Sequence, residues 1–273
     1  MTANEERIEQ TFAVGQDCQL TVSNITGSVS VQADERDDVH VIACKHLDGH
    51  GDPDRTELQI SQEGNHIIAR THFQNGNGSL AGLRGKQPCA VDYTVRVPTH
   101  CDIDINQITG TIQVNGVSGQ VAINAVDGAV DLHEIVGRTN VKAISATVDG
   151  SRWSGRATVN TVSGPVDIVD ANLSRVKANT VSGAVSIDTS LDETGHYAFH
   201  SVSGDVSFLL PLEQGLESRG NTISGHLECD LPHEFTRRGR GGWRATINGG
   251  GPRVRFNSVS GDLALAAKTK IED

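Results

Sequence analysis

Aromatic residues and long apolar runs are scarce in this chain. Phe, Trp and Tyr make up 4% of its 273 residues, which suits a thin core of small side chains better than a wide globular one. No apolar stretch reaches the roughly 18 residues of a transmembrane helix, so we expect no membrane span. The first ten residues are charged and lack the apolar segment of a signal peptide. The sequence as it stands therefore predicts a cytoplasmic protein, and a cell-surface protein if a leader has been removed.

Cysteines are few, and clustered basic residues are rare. The five cysteines are an odd number without close spacing, which predicts free thiols in a reducing compartment. The net charge is −11, and the acidic residues are scattered along the chain. Because nucleic acids and anionic membranes are bound through Lys and Arg patches, we expect neither as a partner.

Glycine is abundant, with 30 residues, and it is regularly spaced. A nine-residue lattice holds Gly110, Gly119, Gly128, Gly137, Gly155 and Gly164, with Ala146 at the missing point. Gly183, Gly204 and Gly225 follow at intervals of 19, 21 and 21 residues. A short fixed period of this kind is typical of solenoids and other repeat architectures.

Each repeat carries the same short phrase around its glycine. Examples are Val162-Ser-Gly-Pro-Val-Asp-Ile168 and Val181-Ser-Gly-Ala-Val-Ser-Ile187. Apolar residues stand two before, two after and four after the glycine, an alternation that indicates β-strands with one buried face. We therefore expect Val162, Val166 and Ile168 all to point inward.

The repeat predicts an all-β fold, a parallel β-solenoid with coils of roughly 18–21 residues and an irregular N-terminal β region. Residues 1–105 would form the N-terminal region with a hairpin and a mobile loop, and 106–273 the solenoid repeats with a C-terminal cap. The number of faces per coil stays open. Exposed strand edges at solenoid ends also suggest weak self-association.

Two local patterns refine this picture. Asn stands four residues before the glycine in several repeats, so stacked coils would align these amides in a hydrogen-bonded ladder. In the N-terminal region, Leu58–Ser61 and Ile67–Thr71 flank Glu63-Gly-Asn65, the signature of a β-hairpin lying off the stack. The Gly-rich stretch from Phe73 to Pro88 predicts a mobile loop.

The sequence resembles the bacterial DUF4097 family of adhesin-like proteins. The resemblance rests on Leu20-Thr-Val-Ser-Asn-Ile-Thr-Gly-Ser-Val-Ser-Val31, on Tyr93-Thr-Val-Arg-Val-Pro98 before the repeats, and on the recurring Val-Ser-Gly-x-Val-x-Ile. It covers the chain from about residue 11 to 265. The resemblance implies a β-helix-like fold and an adhesin-like role, and it brings no catalytic residues to transfer.

One segment has the composition of a metal site. Strand alternation would place Cys44, His46 and Asp48 on one side, with His50 close behind, and these are ligand types that suit Zn²⁺. Gly49, Gly51 and Pro53 follow, however, and a solvated loop explains the same residues. We therefore predict no metal site and keep a metal-responsive module at His46 and His50 as a third hypothesis.

Other candidates for chemistry are scattered. Polysaccharide-cleaving β-helices cluster carboxylates on one face, and Asp131, Asp167, Asp188 and Asp205 flank the predicted strands. Trp153 replaces the usual Val of its repeat, either as a large side chain at a coil edge or as a platform for a ligand. Arg237-Arg-Gly-Arg240 is the one basic cluster in the sequence, and a solvated loop explains it.

These observations predict a non-enzymatic adhesin-like or scaffold protein, without catalytic residues or a cofactor. Its rigid β surface would contact a protein or a glycan. A polysaccharide-binding or polysaccharide-cleaving β-helix protein is the alternative.

Overall fold

A computed structural model describes residues 5–47, 49, 51–74, 87–238 and 241–268. The chain divides into two compact units, Met1–Asp131 and Leu132–Asp273. Within the described residues the structure is β, apart from one 3₁₀ turn at Pro53–Arg55. In this part of the chain, no helix has the length and apolarity to cross a membrane. The all-β prediction is confirmed.

The first unit combines parallel and antiparallel pairing. Its strands are β1 (Glu5–Ala13), β2 (Cys18–Asp34), β3 (Asp38–His46), β4 (Thr56–Glu63), β5 (His66–Phe73), β6 (Val91–Pro98), β7 (Cys101–Asn115) and β8 (Ser118–His133), the last of which ends in the second unit. Strand β2 pairs in parallel with β5, β6 and β7. Strands β1 and β6 pair with β3 in the antiparallel sense.

The predicted hairpin is present, but it belongs to the sheet. Strands β4 and β5 pair antiparallel across Gly64, whose φ of 63° suits the tight turn. Strand β5 also pairs in parallel with β2, so its position off the stack was wrongly predicted. The reason is that Ile67, Ile68 and Ala69 are buried, and this apolar run needs a neighbouring strand. Most of the predicted loop from Phe73 to Pro88 lies outside the described residues.

The second unit is dominated by parallel pairing. Its strands are β9 (Val136–Ala143), β10 (Thr147–Ser151), β11 (Ser154–Thr161), β12 (Val166–Thr180), β13 (Val185–Ser201), β14 (Val206–Leu210), β15 (Leu216–Asn221), β16 (Leu227–Cys229), β17 (His233–Arg238), β18 (Gly242–Ile247), β19 (Arg253–Ser258) and β20 (Leu263–Ala267). Strands β9, β11, β12 and β13 pair successively in parallel. Strands β15, β17 and β18 form the antiparallel pairs β15–β18 and β17–β18.

Sequence order and spatial order differ at the C-terminal end of this unit. The 21-residue spacing between Gly204 and Gly225 predicts that these two repeats are neighbours. Instead, β19 pairs with β13 on one side and with β15 on the other, so the last repeat of the sequence lies between them. The β17–β18 hairpin supplies the length of chain that lets β19 return to this place, and β18 covers the free edge of β15.

Glycine lets neighbouring repeats approach closely. A Cβ added to Gly183 would lie 2.2 Å from the carbonyl oxygen of Gly164, and one added to Gly110 would lie 1.8 Å from that of Gly27. Gly110 also has a φ of 131°, which other residues rarely adopt. Gly183 has no positive φ, so close contact alone explains its glycine.

The core is mostly aliphatic, as expected, with a local aromatic enrichment. Phe208 lies 5.9 Å from Tyr197 and 5.1 Å from Phe199, measured between ring centroids. All three side chains are buried, so β13 and β14 enclose a wider section of core than Val and Ile would fill. Such ring pairs stabilise the fold beyond the area that they bury.

Replacing Gly183 by Ala is expected to lower the free energy of unfolding by roughly 3 kcal/mol, because the new methyl group would push β12 and β13 apart. Urea denaturation measures the change. Gly49→Ala is the matched control, since among the described residues its Cβ would meet only a backbone nitrogen at 4.0 Å. Equal stability of the two variants would contradict the close contact.

Candidate interaction surface

A buried hydroxyl fixes the corner of three repeats in the second unit. The Oγ1 of Thr161 donates to the carbonyl of Gly164 at 3.0 Å, and that of Thr180 donates to the carbonyl of Gly183 at 2.9 Å. Ser201 makes the same bond to Gly204. The hydroxyl residue thus takes the inward position three before the glycine, and the next residue points outward.

This geometry overturns one prediction about the repeat. The apolar residue two before the glycine is exposed: Val162, Val181 and Val202 are each 45–46% accessible. Val166 and Ile168 are buried as predicted, whereas the inward position of Val162 was wrong, because the corner shifts the strand alternation by one residue. Val117 in the first unit and Ile135 and Trp153 in the second are buried exceptions. In the second unit these exposed side chains form an aliphatic ridge: Ile144, Val162, Val181, Val202, Val259 and Ile223.

Backbone hydrogen bonds tie this aliphatic ridge together. Ser182 N donates to the carbonyl of Val162 at 2.9 Å, Ser203 N to Val181 at 2.8 Å, and Ser260 N to Val202 at 2.9 Å. The serine hydroxyls donate to the same carbonyls at 3.2–3.4 Å. Each ridge residue is therefore held in register with the next.

The predicted asparagine ladder is present in part. Asn124 Nδ2 donates to Asn106 Oδ1 at 2.9 Å in the first unit, and Asn179 Nδ2 donates to Asn160 Oδ1 at 2.6 Å in the second. His200 follows Asn179 in register, and Asn257 Nδ2 lies 3.4 Å from its Nδ1. The amides line the strands that lead into the corners.

These strands carry aligned basic residues. Arg138 pairs in register with Arg156, and Arg156 with Arg175. Arg175 then aligns with His196, and His196 with Arg253. All five side chains are exposed. Neighbouring strands lie about 4.8 Å apart, so the five residues form a continuous column, which we call the arginine column.

The arginine column belongs to a larger basic face. We define the basic face as the outward residues of 136–143, 154–161, 172–180, 196–201 and 253–258. Its Lys and Arg residues are Arg138, Lys142, Arg156, Arg175, Lys177, Arg253 and Arg255. These five segments contain no Asp or Glu. The expectation of a surface without Lys and Arg patches, inferred from the acidic and dispersed charge, was therefore wrong, because stacking gathers basic residues from distant repeats. The sequence did contain a signal, since Arg156, Arg175 and Arg253 each stand eight residues before the glycine of a repeat.

The candidate catalytic carboxylates occupy separate environments. Asp188 Oδ2 is ion-paired with Lys268 Nζ at 2.9 Å, and Asp205 Oδ1 accepts from the backbone N–H of Asp262 at 2.9 Å. Asp167 is exposed on β12, in register with Asp149 of β10. Asp131 lies on β8 in the first unit. Asp188 is therefore held by an ion pair and Asp205 by a backbone hydrogen bond. Asp167 is not in register with either of them.

The first two members of the metal candidate share a strand face, as predicted. Cys44 and His46 are both half-buried on β3, and His46 Nε2 lies 2.6 Å from Asp92 Oδ2. Asp48 and His50 lie outside the described residues. Among the residues that are described, no group of three or more His, Cys, Asp or Glu side chains could hold a metal ion.

Asp92 is the centre of a polar cluster in the first unit. Its Oδ1 accepts from the backbone N–H of Ser28 at 2.7 Å and from the Ser28 hydroxyl at 2.6 Å. Burial alone would raise the pKa of Asp92, but the hydrogen bonds from Ser28 and His46 outweigh it and lower that pKa below its ordinary 3.8. The carboxylate lies between the serine and the histidine, so this order is not that of a nucleophilic triad.

Trp153 has a structural role. It is 1% exposed, and its Nε1 donates to the carbonyl of Leu132 at 2.9 Å, so the ligand-platform alternative is excluded. In the four-residue basic cluster, Arg237 and Arg238 end strand β17, and 239 and 240 lie outside the described residues.

Sequence reasoning missed a cleft in the second unit. It has a volume of about 700 Å³, within the range of small-molecule sites, and its lining includes His226, His233, Phe235 and Trp243. The buried Nε1 of Trp243 has no hydrogen-bond partner among the described residues. The repeat pattern does not predict this cleft, because the β17–β18 hairpin that borders it lies outside the repeats.

Comparison with known proteins identifies a matching family. A family model described as Toastrack DUF4097 matches residues 18–266. No curated protein matches the chain.

Several solved structures are similar over nearly their whole length. A putative lipid binding protein from Parabacteroides distasonis is 10% identical, with 98% of each chain covered and a TM-score of 0.44. A putative adhesin from Bacteroides fragilis is 9% identical, covering 95% of this chain and 97% of that one, with a TM-score of 0.42. A putative cell adhesion protein from Clostridium sporogenes is 12% identical, covering 96% and 100%, with a TM-score of 0.27.

The exposure of the aliphatic ridge predicts that substitutions of two valines in one repeat change the free energy of unfolding by different amounts. Val181→Thr should change the free energy of unfolding by less than about 0.5 kcal/mol, because Val181 is 45% exposed. Val185→Thr should cost about 2 kcal/mol, because Val185 is 2% exposed and its new hydroxyl would be buried. Similar losses in both variants, measured by urea denaturation, would refute the outward position of Val181.

The lowered pKa of Asp92 predicts a pH-dependent contribution to stability. A carboxylate whose pKa is lower in the folded state stabilises the fold above its unfolded pKa, and this contribution is lost as the pH falls through the folded pKa. Asp92→Asn should therefore lower the free energy of unfolding by about 1 kcal/mol at pH 6, with a smaller difference at pH 3. Exposed Asp127→Asn serves as the control. A difference for Asp92→Asn that does not change with pH would contradict the assignment.

Proposed function

Because the chain belongs to the Toastrack DUF4097 family, we propose that it is a non-enzymatic, adhesin-like protein that presents a rigid β surface to a protein or glycan partner. The arrangement of outward side chains carries this proposal. Parallel strands hold like residues over like in the aliphatic ridge and in the arginine column. Such a surface offers the same chemical group repeatedly at the strand spacing, which suits an extended partner with its own repeat.

The finer architecture is part of the proposal. We propose a parallel β-solenoid with coils of roughly 18–21 residues. Support comes from the strand register: Val148 aligns with Val166, Val166 with Val185, and Val185 with Val206, so partners are 18, 19 and 21 residues apart. The division into an N-terminal region, 1–105, and repeats with a C-terminal cap, 106–273, stays a prediction. Its boundary falls within β7, which pairs along its length with β2.

A binding role fits the environments of the candidate catalytic residues. A glycosidase needs two carboxyl groups facing one bond, with separations of about 5–10 Å. Asp188 and Asp205 have structural partners instead. Of the two activities in the alternative hypothesis, the basic face favours binding a polysaccharide over cleaving it.

For the partner and the location, we predict only the kind of molecule and the compartment. We propose a protein or glycan partner, no nucleic acid, no membrane span, and weak self-association through the solenoid ends. The cytoplasm is the location predicted from the sequence as it stands, and the cell surface is predicted for a chain that has lost a leader. In either location the proposed role requires a folded, rigid surface.

Incubation of the protein with a panel of neutral and acidic polysaccharides and with a protein array tests this function. Retention of at least one partner without release of new reducing ends is the expected outcome. If reducing ends appear, Asp167→Asn serves as the control: release abolished by this substitution would show an enzyme and overturn the proposal. Failure to retain any glycan or protein would overturn it as well.

A further inference from the structure

We propose that the basic face binds a linear acidic polysaccharide, with the carboxylates or sulfates of successive sugars on the arginine column. This inference rests on the proposed binding function and names its ligand class. The column comprises Arg138, Arg156, Arg175, His196 and Arg253 on five neighbouring strands. With a strand spacing of about 4.8 Å, its ends are about 20 Å apart.

The strands that follow the corners of the second unit differ in charge from the basic face. The segments after each corner, 147–151, 166–170, 185–189, 206–210 and 263–267, contain no Lys or Arg. Four of their residues are acidic: Asp149, Asp167, Asp170 and Asp188. The basic face therefore presents positive charge although the net charge of the whole chain is −11. A surface of one sign attracts an oppositely charged polymer and aligns it.

The arginines of the column are available for a ligand. Within the described part of the chain, no carboxylate forms an ion pair with Arg138, Arg156 or Arg175. Beyond Arg253, the neighbouring strand β15 places Glu217 in register with it. The Oε2 of Glu217 lies 3.9 Å from Arg253 Nε. Arginine binds carboxylate and sulfate groups through paired N–H donors, so three adjacent unpaired arginines can each take one anionic group.

A glycan fits the neighbouring residues better than a nucleic acid does. Asn160, Asn179 and Asn257 run parallel to the arginine column, four residues further along each strand. Their amides can donate to and accept from sugar hydroxyls. Proteins that bind single-stranded nucleic acids stack the bases on aromatic side chains, and the basic face, as defined above, contains no Phe, Tyr or Trp.

The test compares binding to immobilised polygalacturonate, heparin, dextran and an oligothymidylate at several salt concentrations. The double variant Arg156→Gln/Arg175→Gln should weaken binding to the acidic glycan by about tenfold. The control Arg70→Gln/Arg96→Gln removes the same charge from exposed arginines of the first unit and should change binding less than twofold. Arg175→Lys, which keeps the charge, should restore part of the affinity in the presence of Arg156→Gln. Thermal unfolding of each variant verifies that it is folded.

The arms of this experiment separate the possible outcomes. Preference for polygalacturonate or for heparin identifies carboxylates or sulfates as the ligand groups, and either supports the inference. Equal losses in the two double variants, tighter binding to the oligothymidylate, or binding to neither acidic glycan would overturn it. Salt-sensitive self-association that the Arg156→Gln/Arg175→Gln variant abolishes, without glycan binding, would assign the basic face to a second copy and overturn it too. Retention of dextran or of an arrayed protein in any of these cases would leave the proposed function standing.

Discussion

Close contact between the backbones of stacked repeats is the constraint on which this structure depends. At Gly164, Gly183 and Gly204, an added Cβ would lie 1.9–2.2 Å from a carbonyl oxygen in the corner of the preceding repeat. A strand that shifts by one residue would bring a side chain into this space and would reverse its two faces. The glycines therefore fix the register, and the register then determines every other alignment, including the serine hydrogen bonds and the asparagine pairs.

Fixed register turns short sequence preferences into continuous surfaces. An arginine eight residues before the glycine has no special meaning within one repeat. Over parallel strands of matched register it becomes the arginine column, and an outward valine becomes the aliphatic ridge. Since the backbone hydrogen bonds hold these side chains at a regular spacing, a binding partner loses less free energy to ordering the protein than it would on a flexible surface.

The same arrangement explains why residue types that are common in active sites occur in this chain without forming one. Their positions fit a binding role better than catalysis. The strand faces carry Asp, His and Ser side chains, and several of these contact neighbouring backbone groups or charged partners. The Asp92 cluster shows this use clearly: one carboxylate accepts two hydrogen bonds from Ser28 and contacts His46. Such networks hold strands together through partly buried polar contacts.

The sequence alone determined the β class, the repeat, the hairpin at Gly64 and the importance of glycine, because these follow from alternation and spacing along a few adjacent residues. Tertiary structure decided which way Val162 points, since the buried hydroxyl of Thr161 shifts the alternation at the corner. It also decided that β19 lies between β13 and β15, because the hairpin before β19 allows pairing out of sequence order. The basic face likewise forms only in the fold: the sequence repeats an arginine eight residues before several glycines, but the five strands are distant in sequence, and only parallel stacking places their charges side by side.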